Sequence, residues 1–338
     1  MRLISIIFSF KNEEKNLKEL EKRVNSSLSI LKNWKYEMIF VNDSSDDKSE
    51  EILLDLQKTN PITIINMTRT FGVGPCVLAG FRHTKGDAII YMDSDLQDPP
   101  EILTKLIEEH EKGAEIVHTV RTKRLGESSF KLLITKLAYK IINYLSDIPL
   151  PIEAGDFKLI SKTALSKILE QKEFRPYVRG MSVWVGYKQS FVKYERQSRS
   201  DGQSKFPLYS KGPITEFING ITSYSLKPLY LGILLGFFSL LFSISLIVYA
   251  LYAKYIGIAV PGSTSIIITI SFFSGILLLT IGIVAIYIAR IFEQTKGRDQ
   301  YVIKNIKNFD WSERAWIFRT KINYFLLMKL KYLIFRIL

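Results

Sequence analysis

Two regimes of hydrophobic patterning divide the chain near residue 228. Upstream, short apolar runs at 3–8, 38–41, 62–66 and 88–92 alternate with charged amphipathic stretches at 13–31, 48–57, 73–82 and 100–111. The runs have the length of buried strands and the stretches that of helices between them. Alternation at this pitch predicts an α/β domain with a mainly parallel sheet. Downstream, 228–253 and 255–289 contain no charged residue, and both exceed the about 20 apolar residues a membrane span needs. Their length and lack of a polar face argue against two buried core helices. Pro261-Gly262 should break the second stretch, leaving a span near 265–288.

The flanks orient this hairpin. Segments 188–227 and 290–307 are rich in Lys and Arg, whereas the connecting loop has only Lys254. The bias of basic residues toward the cytoplasmic side places both ends there and the loop outside. The run 3–8 is too short for a secretion signal and no small-residue cleavage site follows, so the first domain is expected in the cytoplasm. The expected organisation is a cytoplasmic domain over 1–210, a juxtamembrane amphipathic helix over 211–227, two transmembrane helices over 228–289 and a cytoplasmic basic amphipathic tail over 290–338. In that tail, Arg319, Lys321, Lys329, Lys331 and Arg336 mix with aromatic and aliphatic residues and no acid follows Glu313, as in a helix lying on anionic lipid.

Charge adds a constraint on partners. With 46 Lys and Arg against 33 Asp and Glu, the net +13 suits phospholipid, a phosphorylated substrate or nucleic acid. The spans account for it without nucleic acid. The single cysteine, Cys76, rules out an intrachain disulfide and reads as a small buried hydrophobe. His83, His110 and His118 have no ligand spacing, which argues against a histidine zinc site.

Candidate chemistry gathers at strand ends. The run 88–92 leads into Asp93-Ser94-Asp95-Leu96-Gln97-Asp98-Pro99-Pro100. Carboxylates just past a parallel strand lie where open α/β sheets bind ligands. Asp93 and Asp95, two residues apart, can face one small site, with Gln97 as a neutral oxygen donor. Such hard oxygen ligands suit Mg²⁺ or Mn²⁺ carrying a diphosphate. Asp98, ahead of two prolines, reads as the cap of the next helix. A second acidic turn, Asn42-Asp43-Ser44-Ser45-Asp46-Asp47, offers Asp43 to a nucleobase edge or ribose, and Ser45 or Asp46 as a helix cap.

Together with Asn12-Glu13-Glu14 and Gly155-Asp156-Phe157, these motifs make the chain resemble glycosyltransferase family 2 enzymes of GT-A fold, a Rossmann-like domain here followed by a two-helix transmembrane hairpin. The resemblance is greatest to the polyprenyl-phosphate branch, dolichyl-phosphate mannose synthases and bacterial undecaprenyl-phosphate glucosyltransferases, and runs from about residue 4 to residue 301. It implies Asp95, Gln97 and Asp93 at the metal, Ser9, Lys11, Glu13, Asp43, Asp93 and Ser94 at the nucleotide-sugar, and Asp156 as the catalytic acid residue taken for the base. It implies Arg121, Arg124, Lys131 and Thr135 at the lipid-phosphate acceptor, with Arg199, Ser204 and Lys205 on a phosphate-binding loop. Where the family usually has Pro and an aromatic residue, this chain has Ser9 and Lys11.

The implied reaction is inverting transfer of a hexose from a nucleotide-sugar, UDP-glucose or a related UDP-sugar, to undecaprenyl phosphate at a bacterial inner membrane. The product would be a lipid-linked donor for surface polysaccharide or glycan modification. A homo-oligomer such as a tetramer, a flippase and a downstream glycosyltransferase are the implied partners. A processive polysaccharide synthase is disfavoured because 184–189 lacks the Gln-x-x-Arg-Trp signature, and a non-lipid acceptor is disfavoured by the spans. A nicotinamide enzyme is disfavoured because the glycines at 72–74 lack the third of the fingerprint and follow no strand end.

Overall fold

The computed structural model describes residues 1–124, 137–138, 140–149, 151, 154–171, 173–174, 177–196, 211–257 and 262–309. Eight strands form one sheet: β1 (Arg2–Phe10), β2 (Trp34–Asn42), β3 (Ile62–Met67), β4 (Ala88–Asp93), β5 (Ile116–Arg124), β6 (Ala154–Ser161), β7 (Gln189–Arg196) and β8 (Ile303–Lys307). Their order is β7-β5-β6-β4-β1-β2-β3-β8. The expected parallel character resides in β4-β1-β2-β3 and in the β5–β7 pair, while β6 and β8 run antiparallel to their neighbours. The order reverses at β1, between β2 on one side and β4 on the other. That is a topological switch point, where the strand tips part and leave a crevice.

Period-2 alternation splits the core into two layers. Ile4, Ile6, Phe8 and Phe10 of β1 pack toward α1 (Leu17–Leu28) and α4 (Leu103–Glu111), meeting Leu20, Val24, Leu103 and Leu106. Ile7 faces the other layer with Val41, Ile65 and Ala79, the last from α3 (Val73–Arg82). A Cβ on Gly80 would overlap Ile7 Cγ2, so glycine is what lets α3 lie flat on β1.

The first helix is shorter than its pattern suggests, because residues 11–16 are spent on a turn. Asn12 is left-handed at φ 55°, and this turn is laced to the loop after β2. Asn12 N donates to Ser45 Oγ at 3.0 Å, Asp46 N to Asn12 Oδ1 at 3.1 Å, and Glu14 N to Asp47 Oδ2 at 3.1 Å. Ser45 and Asp46 are therefore not caps. The helix that follows, α2 (Ser49–Gln57), begins later, where Asp47 Oδ1 accepts from Ser49 N at 3.0 Å.

After β6 come α5 (Lys162–Glu170), α6 (Val178–Trp184) and α7 (Lys211–Thr222). Two long helices follow, α8 (Lys227–Tyr255) and α9 (Gly262–Thr295), the second starting one residue after Pro261. Both are long and apolar enough to cross a membrane, and their apolar side chains are largely exposed. At 1.5 Å per residue, each exceeds the roughly 30 Å of a bilayer's hydrocarbon core. The pattern gave no sign of β8. Residues 303–307, expected in the tail, return to the sheet edge beside β3. Asn66 holds the register there, donating to Asn305 Oδ1 at 2.8 Å and Glu50 Oε1 at 2.7 Å while accepting from Asn42. The rest of the tail, 310–338, lies outside the described residues.

Candidate active site

The carboxyl ends of β1, β2, β4, β5 and β7 share one edge of the sheet with the start of β6. Among the described residues, three non-glycine residues beyond these tips are left-handed: Asn12, Ser44 and Leu96, at φ 55°, 60° and 59°. Such strain, about 1–2 kcal/mol per residue, is kept where the surrounding contacts over-determine the loop.

Asp93 ends β4 directly opposite Ser9 of β1, across the switch point. Ser94 Oγ donates to Ser9 O at 3.1 Å, and Tyr91 OH bridges Ser9 Oγ at 2.9 Å and Asp93 Oδ1 at 2.7 Å. Asp95 Oδ1 accepts from Gln97 N at 3.2 Å, which curls the loop back over the strand. Burial, then the carboxylates of Asp98, Asp95 and Asp156, push Asp93 up to about 7. This crowding of like charge is the observation that fits a divalent cation. Among the described residues no three His, Cys, Asp or Glu side chains form a metal cage. The donor set instead suits an ion held by one or two carboxylates that takes its remaining ligands from substrate phosphates and water.

The nucleotide-side candidates converge on the loop before α3. Asp43 accepts from Phe71 N at 2.7 Å and Gly72 N at 3.0 Å, and Lys11 Nζ donates to Thr70 Oγ1 at 2.8 Å. Asp43 thus anchors that loop with both oxygens. Glu13 Oε2 accepts from Asn16 Nδ2 at 2.6 Å, and Glu13 N donates to Ser49 Oγ. Ser9, Lys11, Asp43 and Ser94 are brought together around the tips of β1 and β2, with Glu13 on the turn beyond.

Across the crevice, Asp156 at the start of β6 is gripped by Arg179 of α6. Nε donates to Oδ1 at 2.7 Å and Nη2 to Oδ2 at 2.6 Å. Burial alone would raise this carboxyl, but Arg179, Lys158 and Arg121 outweigh it and hold Asp156 below the ordinary carboxylate range. Lys158, 1% exposed, donates to Ser182 Oγ at 3.2 Å. Burial lowers it to about 8 against the pull of Asp156. The site is therefore layered: Asp93 and Asp95 on one side, Arg179, Lys158 and Arg121 on the other, with Asp156 between.

Arg121 explains the glycine of Gly155-Asp156-Phe157. A Cβ on Gly155 would stand 2.7 Å from Arg121 Nη2 and 3.0 Å from its Cζ, so the guanidinium lies on the bare backbone. Arg121 Nε donates to Tyr194 OH at 3.0 Å, and Nη2 is 3.7 Å from Asp98 Oδ2. Asp98 is accordingly not the helix cap its sequence position suggests. It is 0% exposed, accepts from Tyr194 OH, and has Arg196 Nε at 3.5 Å. The 3₁₀ turn Pro100–Ile102 starts from Pro99 without a side-chain cap. The cap position is Pro99, which has no side-chain acceptor, so Asp98 lies one residue outside the turn and is free to turn inward.

Arg124 closes β5, next to Arg196 at the end of β7. Lys131, Thr135, Arg199, Ser204 and Lys205 lie outside the described residues, in segments that leave from these neighbouring strand ends. The histidines serve locally: His83 and His110 bond Ala79 O and Ala114 O. Burial, then Lys158, brings His118 down to about 3. Sequence reading missed Arg179, Lys158, Tyr91, Tyr194 and Arg196. A usable signal existed for Lys158, a charge inside an apolar strand between Phe157 and Leu159.

Residues 5–169 match glycosyl transferase family 2. The chain is 37% identical to the uncharacterized glycosyltransferase YkcC of Bacillus subtilis, over 89% of this chain and 93% of that one. It is 34% identical to the uncharacterized glycosyltransferase sll0501 of Synechocystis, over 91% and 96%. It is likewise 34% identical to the bactoprenol glucosyl transferase of Shigella phage SfX, over 90% and 99%. This chain belongs to glycosyl transferase family 2, and its catalytic region has the GT-A architecture.

Proposed function

We propose that the chain transfers a hexose, glucose from UDP-glucose or a related UDP-sugar, to polyprenyl phosphate at the bacterial inner membrane, with inversion at the anomeric carbon. The observation that carries this is the layered crevice beside two exposed apolar helices: an acidic loop for a nucleotide diphosphate with its cation, faced by a cationic wall for a lipid phosphate. A relative named as a bactoprenol glucosyl transferase and matched over 99% of its length supports the acceptor.

Asp95, Gln97 and Asp93 would hold Mg²⁺ or Mn²⁺, which supplies charge neutralisation to the departing diphosphate. Ser9, Lys11, Glu13, Asp43 and Ser94 would shape the nucleotide side. Arg121, Arg124, Lys131, Thr135, Arg199, Ser204 and Lys205 would serve the acceptor phosphate. Its second ionisation falls near pH ~6, so the acceptor arrives largely deprotonated at neutral pH. Asp156, held below the carboxylate range, is a poor proton acceptor. In this reading it fixes the cationic wall and aligns the incoming phosphate rather than acting as a base. Both ends of the hairpin lie in the cytoplasm, so the lipid phosphate reacts without leaving the bilayer. A tetrameric state, a flippase and a second transferase complete the proposal.

The test is sugar transfer by the full chain in detergent, with radiolabelled UDP- and GDP-sugars, undecaprenyl phosphate and Mn²⁺ or Mg²⁺. Label should enter the lipid from one donor, vanish with EDTA and vanish in Asp95→Ala. Folded protein that labels no lipid from any donor would refute the reading.

A further inference from the structure

Arg179 sits on a helix that grips Asp156 on one side and rests on the link into the membrane hairpin on the other. A Cβ on the next residue, Gly180, would lie 2.6 Å from Tyr224 Cδ2 and 2.8 Å from its Cζ, so α6 rests on the Tyr224 ring with no room for a methyl group. Tyr224 stands in the short link between α7 and α8. That link is clamped by α9: Arg290 Nη1 donates to Thr222 Oγ1 at 2.5 Å, Arg290 Nη2 to Ser223 Oγ at 2.8 Å, and Tyr287 OH to Ser225 O at 2.7 Å. The loop leading into α6 is held from the same side. Phe174 N donates to Gln294 Oε1 at 2.7 Å, and Gln300 Nε2 donates to Glu173 O. Tyr177 and Val183, at the two ends of α6, pack with Phe217 and Ile221 of α7. These polar ties join the base of α9, and Gln300 just beyond it, either to the end of α7 and the link beneath Gly180 or to the loop ahead of Arg179.

We propose that Arg179 is a positioning residue for Asp156, and that α6 is a lever seated on the hairpin base through Gly180 and Tyr224, so that the anchor's placement sets the acceptor side of the site. The proposal rests on the lipid-phosphate reading above and goes beyond it, because it assigns the hairpin a part in aligning the reacting groups as well as in anchoring. A bidentate guanidinium fixes both the position and the plane of a carboxylate. A shift of α6 by a few tenths of an ångström therefore reaches Asp156 undiluted. The donor loops at the tips of β1, β2 and β4 are tied to one another and to the loop before α3, so a disturbance at the hairpin base should spare donor binding.

The experiment measures transfer by the full chain in nanodiscs containing undecaprenyl phosphate, with UDP-sugar and Mn²⁺. Each rate is divided by the amount of protein that binds UDP, which removes any misfolded fraction. Misplacing a reacting group by about 1 Å can cost ~10²-fold in rate, so a smaller displacement in Gly180→Ala should lower kcat by about tenfold. KM for the UDP-sugar should stay within about twofold, since only interactions realised at the reacting centre are lost. Gly180→Ala/Tyr224→Val, in which the valine ends short of the ring atoms, should recover most of the rate. Arg179→Gln should lower kcat with the same unchanged donor KM, and Arg179→Lys, which keeps one charged hydrogen bond, should recover part. The proposal is overturned if Arg179→Gln or Gly180→Ala keeps wild-type kcat, if donor KM rises in step with the loss, or if the double variant is no faster than Gly180→Ala. A wild type that transfers nothing would instead refute the proposed reaction.

Discussion

Replacing Asp98 by serine preserves a helix cap and destroys a buried counter-charge. Serine and aspartate cap helices about equally well, so a capping Asp98 would lose only a few tenths of a kcal/mol in Asp98→Ser, against about 1 kcal/mol in Asp98→Ala. The structure demands more. Asp98 is fully buried, and the side chains of Arg121 and Arg196 facing it are 10% and 16% exposed. Removing one partner of a buried pair typically costs about 3–5 kcal/mol, because the remaining charge stays in a poor solvent. The separations of 3.7 and 3.5 Å are long, and neither Asp98 Oδ2 nor Arg196 Nε has a hydrogen-bond partner, which argues for the lower end. Tyr194 OH also loses its acceptor, so the expected loss is about 3 kcal/mol. Urea unfolding of the full chain in mild detergent measures it, with an unchanged slope required for the comparison. Asp98→Ser/Arg196→Met should be more stable than Asp98→Ser alone, because one stranded charge is gone. A loss below about 1 kcal/mol for Asp98→Ser would refute the buried-cluster account and restore the cap.

Three further outcomes follow from single contacts. Gly155→Ala places a methyl group against the Arg121 guanidinium and should raise KM for the lipid phosphate by about tenfold with donor KM unchanged, as steady-state kinetics would show. Cys76 is fully buried, and burial, then Asp43, raises its thiol, so iodoacetamide should label it only after denaturation; labelling of native protein at equal rate would contradict the packing of α3. Asp156 has a folded pKa below its unfolded value near ~3.9, so the Arg179 pair stabilises the fold above about pH 4 and is lost on acidification below that. The stability advantage of wild type over Asp156→Asn should therefore shrink from about pH 7 to about pH 3, and an advantage that grows would be evidence against the pair.

Local pattern was enough wherever one residue's neighbours along the chain decide its fate. The four apolar runs became β1 to β4 because burial on both faces needs nothing but continuous apolar residues. Asp93 and Asp95 were legible because the end of a parallel strand is itself a location. Pairing across long sequence separations left no such trace. Asp156 and Arg179 are 23 residues apart, and Asp98 and Tyr194 are 96 apart. Asp98 shows how a correct local rule loses: Asp before Pro-Pro is a good cap signal, yet the turn starts one residue later, from Pro99, and the counter-charges lie on β5 and β7. β8 was hidden for a similar reason. Its sequence, Ile303-Lys304-Asn305-Ile306-Lys307, lacks a regular alternation, and it becomes a strand because β3 offers a free edge and Glu50 takes up Lys307 at 2.7 Å.

The charge layering also constrains how the two substrates meet. Burial, and then the neighbouring carboxylates of Asp98, Asp95 and Asp156, push Asp93 up to about 7, so the acidic side is a poor place for further negative charge. A nucleotide diphosphate arriving alone would add to that repulsion, so donor binding and cation binding must support one another. The cationic wall leans the other way: Arg179 and Lys158 share Asp156, Arg121 lies between Asp156 and Asp98, and burial lowers Lys158 to about 8 against the pull of Asp156. In the proposed reaction a lipid phosphate would add counter-charge there. Asp156 belongs to both fields, adding to the repulsion at Asp93 and relieving it among the cations. Its charge must persist through the reaction for either balance to hold, and a residue that must stay ionised is better gripped by an arginine than freed to collect a proton.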